Sequence, residues 1–117
     1  MTFEQAIELG KKANKPVFVD VLAFWCVWCY RMDYYTYVDA EVAKVLSEQF
    51  VPCKILQEQD RVGDYDRTMK LLQAKGIPAM GVFGADGSKP LTTIGGWKKP
   101  EDFLADLQKG LAAFQGK

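Results

Sequence analysis

Two cysteines stand three positions apart at the end of an apolar run, in the segment Trp25-Cys26-Val27-Trp28-Cys29. A thiol becomes a useful nucleophile only as its thiolate, and a helix N-terminus stabilises that charge with a positive dipole end and unpaired backbone N–H groups. If a helix opens at Cys26, Cys29 lies one turn further along the same face, and the two Cα atoms come to roughly 5–6 Å, within disulfide range. Such a pair opens and closes without large motion. Cys26 would attack a substrate disulfide to give a mixed disulfide, and Cys29 would resolve it. The chemistry asks for no cofactor beyond the Cys26–Cys29 disulfide itself. It does ask that the two sulfurs face each other and that the leading one stay within a partner's reach.

A bare C-x-x-C serves equally as half a zinc site or as a structural disulfide. Zinc wants four ligands, and three cysteines with no histidine supply too few without carboxylates or a second chain, so no metal is expected. A purely structural bridge across so small a loop would constrain little of the unfolded chain. The absence of histidine also excludes Cys/His and Ser/His mechanisms. Two rivals of other classes stay open. One is a redox-inactive binding or chaperone module that holds partners on its aromatic patch. The other is a dimeric metal or iron–sulfur site built from paired C-x-x-C motifs.

The elements that must position the pair are legible in the pattern. Thr2 and Gln5 form a capping box ahead of Phe3, Ala6, Ile7 and Gly10 at helical spacing. Val17 to Phe24 is almost continuously apolar, as expected of a central strand covered on both faces. Asp39 caps a helix with Val42, Val45, Leu46 and Phe50 on one face, and Phe50 to Leu56 reads as a second strand. Gln57 to Asp66 is a polar loop, and Tyr65, Met69 and Leu72 mark a helix that Gly76 stops. Met80 to Phe83 and Leu91 to Ile94 make a hairpin about Asp86-Gly87, and a last helix starts at Pro100 with Phe103, Leu104, Leu107, Leu111 and Phe114 inward. The sum is an α/β domain over 1–117: a central mixed sheet flanked by helices on both faces.

Lys15-Pro16-Val17-Phe18-Val19-Asp20, then Trp25-Cys26-x-x-Cys29, then Gly76-Ile77-Pro78 and a closing Gly95 resemble the thioredoxin superfamily across nearly the whole chain. With Thr36-Tyr37-Val38-Asp39-Ala40-Glu41-Val42 added, the segment is most similar to bacterial thioredoxin-like domains such as the C-terminal domain of DsbD. The resemblance implies a thioredoxin fold and thiol:disulfide oxidoreductase activity. Family members usually carry a β-strand before the first helix. This chain starts at the helix, so the N-terminal strand reads as missing or trimmed.

Asp20 interrupts an apolar strand, where an ionised carboxylate is expensive to bury, so it should have a use. The resemblance implies that it accepts or relays the proton of Cys29 with a raised pKa. It likewise implies a cis peptide bond at Pro78, with the backbone of Ile77 free to pair with an extended substrate segment. Lys54 matches a lysine that in the family lies near the buried aspartate, where it would tune the charge of Asp20. Trp25 and Trp28 would form a flat apolar docking surface. Cys53 reads as a small buried hydrophobe, and Tyr30, Tyr34, Tyr35 and Tyr37 as packing residues without a role.

Fifteen basic residues balance fifteen acidic ones with no Lys/Arg block, which argues against nucleic acid or an anionic membrane surface. The longest apolar stretch, Val21 to Tyr30, is far short of the roughly 20 residues a membrane span needs. The expected partners are protein thiols and disulfides and an upstream electron-donor thiol protein, met by a soluble monomer without membrane insertion. Val27-Trp28 adds no positive charge between the cysteines to stabilise a thiolate as a powerful oxidant requires, so the expected direction is reduction. The resemblance favours the periplasm. The missing signal peptide, at face value, favours the cytoplasm.

Overall fold

The computed structural model describes residues 1–116. Helix α1 (Phe3–Ala13) opens on the expected capping box: Thr2 Oγ1 accepts from the Gln5 N–H at 3.1 Å, and Gln5 Oε1 accepts from the Thr2 N–H at 2.8 Å. Phe3, Ala6, Ile7 and Gly10 form its buried face, and Asn14, at φ 54°, turns the chain out of the helix. Strand β1 (Val17–Leu22) follows and is buried on both faces as its composition demands, although it ends two residues before Phe24. Ordinary β pairing stops where the chain must turn toward Cys26.

Helix α2 (Val27–Arg31) continues without a break into a π-helical turn (Met32–Thr36), and α3 (Ala40–Gln49) starts at Asp39, whose carboxylate accepts from the Val42 N–H at 3.2 Å. Strand β2 (Val51–Leu56) alternates buried and exposed residues, with Val51, Cys53 and Ile55 inward. The polar segment after it holds a 3-10 turn (Gln57–Gln59). Asp60 then accepts three backbone N–H bonds, from Val62, Asp64 and Tyr65, before α4 (Asp64–Leu71). These N–H groups, that of Tyr65 foremost, hold the Asp60 carboxyl below its ordinary range. Gly76 is not the stop expected for α4. The helix ends at Leu71, and Gln73 makes the left-handed turn at φ 54°.

Strands β3 (Ala79–Phe83) and β4 (Thr92–Gly95) form the hairpin, and α5 (Pro100–Gln115) closes the chain with proline in its first turn. The sheet order is β2-β1-β3-β4; β1 and β2 run parallel, and the other two pairings are antiparallel. Because strand side chains alternate, β1 sends Val17, Val19 and Val21 to one side and Phe18 and Asp20 to the other. The first side packs with Phe3, Ile7, Leu72 and Phe83 under α1 and α4. The second packs with Met32, Val42, Phe103 and Leu107 under α3, α5 and the π-helical turn. Phe18, Tyr37 and Phe103 meet edge to face there, with ring centroids 5.5–6.2 Å apart. A mixed sheet with helices on both faces, as the pattern predicts, carries the site at the end where β1 delivers Cys26.

Candidate active site

The chain between β1 and α2 is pinned before it reaches the first cysteine. The Phe24 N–H donates to Glu58 Oε1 at 2.9 Å, the Trp25 indole N–H donates to Gln57 Oε1 at 3.1 Å, and the Cys26 N–H donates to Ala23 O at 3.2 Å. Tyr30 closes the turn by donating its hydroxyl to Phe24 O at 2.6 Å. Gln57 and Glu58, read from sequence as loop, therefore hold the cysteine loop from a turn that follows β2. Nothing in their local pattern marks that role, because it arises from two strands lying side by side.

Cys26 is the N-cap of α2, in extended conformation, and its Sγ accepts from the Cys29 N–H at 3.1 Å. One helical turn brings Cys29 back under it. The Cα atoms are 5.3 Å apart and the sulfurs are joined in a disulfide. The two sulfurs therefore face each other, as the spacing requires. The leading one is more enclosed than the sequence suggests: Cys26 is 4% exposed and Cys29 3%. Its neighbours are the reverse, with Trp25 66% and Trp28 53% exposed. Trp28 is thus surface rather than core, and it tilts against Trp97 with centroids 6.5 Å apart. Tyr30, Tyr34 and Tyr35 are exposed too, contrary to the packing expected of them; Tyr30 stands on α2 and the other two on the π-helical turn. Only Tyr37 of the four packs inward.

Asp20 is buried on the sheet face that carries α2 and the π-helical turn. Across the sheet it pairs with Lys54 on β2 and with Met80 on β3, so these three side chains form a row. Tyr37 lies over the row, its hydroxyl 3.4 Å from Met80 Sδ. Burial pushes the Asp20 carboxyl up from 3.8 to about 6; Lys54 and the Tyr37 hydroxyl pull it down, and Asp33 pushes it up. Burial and the nearby Asp20 also raise the Tyr37 phenol well above its usual range. Asp20 Oδ1 has no hydrogen-bond partner among the described residues. A largely apolar cleft of about 400 Å3 reaches it, lined by Phe18, Asp33, Tyr37, Leu46 and Lys54.

The peptide bond Ile77-Pro78 is cis. Both residues line a cleft of about 430 Å3 with Thr93, Gly95 and Gly96, and Pro78 O accepts from the Gly96 N–H at 3.2 Å. Cys53 points to the opposite face of the sheet, against α1, 3.9 Å from Met1 O. Burial pushes its thiol up to about 11, and it takes no part in the cysteine pair. Sequence reasoning missed Asp33, Tyr37, Arg31 and Trp97. Asp33 follows Cys26 by two helical turns, which was a usable signal. Arg31 shares a face of α2 with Trp28 three residues before it, again a local signal, whereas Tyr37 depends on the π-helical turn and Trp97 on a loop more than sixty residues away. No cluster of three His, Cys, Asp or Glu among the described residues is arranged to hold a metal ion, and no described helix is long and apolar enough to cross a membrane.

Residues 2–107 match the family described as Thioredox_DsbH, protein of unknown function, DUF255. The chain is 31% identical over 117 residues to the thiol:disulfide interchange protein DsbD of Ralstonia nicotianae, covering 97% of this chain and 18% of that protein. Among solved structures, a DsbH oxidoreductase superposes with a TM-score of 0.75 at 17% identity, over 96% of this chain and 83% of the other. The oxidised DsbD C-terminal domain of Neisseria meningitidis superposes with a TM-score of 0.73 at 23% identity, over 92% and 91%. Both likenesses establish a thioredoxin-like fold. The chain spans about a fifth of the length of the DsbD proteins it matches.

Proposed function

The chain belongs to the Thioredox_DsbH family, and from that premise we propose that residues 1–117 form one thioredoxin-like domain working as a protein-disulfide reductase through Cys26 and Cys29. The observation that carries the reading is the placement of Cys26 Sγ at the mouth of α2, bonded to Cys29 and accepting its N–H. That N–H stabilises negative charge on the leading sulfur when the bridge is open.

In the reduced protein the Cys26 thiolate attacks one sulfur of a partner disulfide. A Cys26–partner bond forms, the partner's S–S bond breaks, and the departing thiolate takes a proton. Cys29 gives its proton to Asp20, attacks Cys26 Sγ, and expels the second partner sulfur as a thiol. Two electrons leave the cysteine pair and the Cys26–Cys29 bond is restored. A dithiol protein upstream returns it to the reduced form by the same exchange in reverse. Asp20 suits the proton step because a carboxyl poised near 6 is neither always charged nor always protonated near neutrality. In this reading Lys54 tunes Asp20, Trp25 and Trp28 offer a docking surface, and Ile77 with Pro78 receives an extended segment of the partner.

Enclosure of the leading sulfur favours partners that present their disulfide on a protruding, extended segment, since a flat surface would not reach it. The likeness to DsbD favours the periplasm as the compartment. With dithiothreitol as donor, the protein is expected to reduce a model protein disulfide, and Cys26→Ser is expected to abolish this. Cys29→Ser is expected to trap partners as mixed disulfides on Cys26. Wild-type turnover surviving unchanged in Cys26→Ser would overturn the proposal.

A further inference from the structure

At the end of α2, Arg31 is held among three aromatic rings. Its guanidinium lies 5.1 Å from the centre of the Trp28 ring, 5.9 Å from Tyr35 and 6.0 Å from Trp97. Trp28 and Arg31 are three apart and so share a helix face. Tyr35 arrives through the π-helical turn and Trp97 from the loop between β4 and α5. Ring faces attract the cation but accept none of its five N–H donors in the way an oxygen would. No carboxylate, carbonyl or hydroxyl of the described residues accepts from Arg31. By contrast, Lys54, Lys98 and Lys99 each have an acidic neighbour, in Asp33, Asp106 and Glu101 respectively. An exposed guanidinium, two residues after Cys29, thus rests among aromatic rings with no counter-charge among the described residues.

We infer that Arg31, braced by Trp28, Tyr35 and Trp97, is a specificity residue that receives an aspartate or glutamate carboxylate of the partner protein, close in sequence to the cysteine that Cys26 attacks. The rings leave the N–H donors of the guanidinium unpaired, and its planar fork matches a carboxylate with two parallel hydrogen bonds. Five residues of helix separate Arg31 from Cys26, about 7 Å of axial rise. An extended partner covers that distance in roughly two residues. Docking an apolar segment on the surrounding rings would remove water from the pair and strengthen it.

The inference rests on the reductase reading, so the test separates the two. Two peptide disulfides would be made, identical except for Glu or Gln two residues from the reacting cysteine, along with the small neutral bis(2-hydroxyethyl) disulfide. The wild-type protein is expected to reduce the Glu peptide with a kcat/KM about fivefold above the Gln peptide, a preference that shrinks as salt is raised. Arg31→Gln is expected to bring the ratio to about one, and Arg31→Lys to an intermediate value, because an ammonium keeps the charge without the planar fork. The ratio is internal to each variant, so a general loss of activity does not imitate it. A wild-type ratio near one, with the neutral disulfide still reduced, would overturn the Arg31 assignment alone. Failure of the wild-type protein on all three disulfides would sink the reductase reading and this inference with it.

Discussion

Asp20 and Lys54 stand opposite each other across β1 and β2, yet the Lys54 ammonium makes its short contact with Asp33, at 2.6 Å, and the buried carboxylate has no ion pair of its own among the described residues. Lys54 still lowers the pKa of Asp20 through space, but burial outweighs it and the carboxyl stays high. A direct salt bridge to Lys54 would pull the carboxyl further down. Diverting the lysine to Asp33 keeps Asp20 close to the point where it can both take and release a proton.

A carboxyl raised from 3.8 to about 6 by folding binds its proton more tightly in the native than in the unfolded chain. The native state is therefore favoured below the unfolded value, and stability falls as pH rises from about 4 to about 6. The loss is complete above that, at about 3 kcal/mol for a shift of this size. Asn cannot ionise, so Asp20→Asn lacks the loss. In urea unfolding of the oxidised protein, its stability relative to wild type is expected to rise by about that amount between pH 4 and pH 7.5. A difference that stays flat across this range would mean that Asp20 is not held high by burial.

Lys54→Met removes the largest influence that lowers the pKa of Asp20 and also strips Asp33 of its counter-ion, leaving a second negative charge nearby. Both changes act in the same direction. The Asp20 carboxyl carbon, followed by NMR through a pH titration, is expected to turn over well above 6 in this variant. Asp33→Asn should move the midpoint the other way, since it removes a repulsion and frees Lys54 for Asp20. A midpoint that does not move in either variant would break the electrostatic link between the strand pair and the helix.

How far the residues foretell this arrangement depends on whether a feature is local. The capping box at Thr2 and Gln5, the apolar run of β1, the Asp39 cap and the helical face of α5 each follow from a short pattern and stand where that pattern puts them. Cys26 and Cys29 are likewise joined by the geometry of one helical turn, and Asp20 is buried because its strand is. Features that need two distant segments were not legible. The π-helical turn turns Tyr34 and Tyr35 outward and Tyr37 inward, and no propensity rule marks it. Trp97 reaches Trp28 and Arg31 only because β4 lies at the sheet edge and feeds a loop back across the π-helical turn, where Thr36 donates to Lys98 O at 2.5 Å. The enclosure of Cys26 is also a property of the assembled surface.

Gly110 on α5 lies against Val82 of β3, and a Cβ built there would come within 2.6 Å of Val82 Cγ2. In an exposed helix interior, Gly→Ala usually stabilises by roughly 1 kcal/mol. Here the helix would have to lift from the sheet, so Gly110→Ala is expected to destabilise by about 1–3 kcal/mol. Denaturant unfolding checks the sign. A variant more stable than wild type would show that the α5–β3 contact yields without cost.

Cys53 packs in the core as a free thiol, apart from the Cys26–Cys29 pair. With burial pushing it up to about 11, about one Cys53 in a thousand is a thiolate at pH 8, and its sulfur lies against α1 rather than at the surface. Iodoacetamide added to the reduced native protein is therefore expected to label Cys26 first, while Cys53 stays unmodified until guanidinium unfolds the chain. Peptide mass spectrometry over a time course distinguishes the three sites. Labelling of native Cys53 as fast as Cys26 would mean that α1 opens readily, and Cys53 would then have to be counted as a competing thiol in any mixed disulfide trapped by Cys29→Ser.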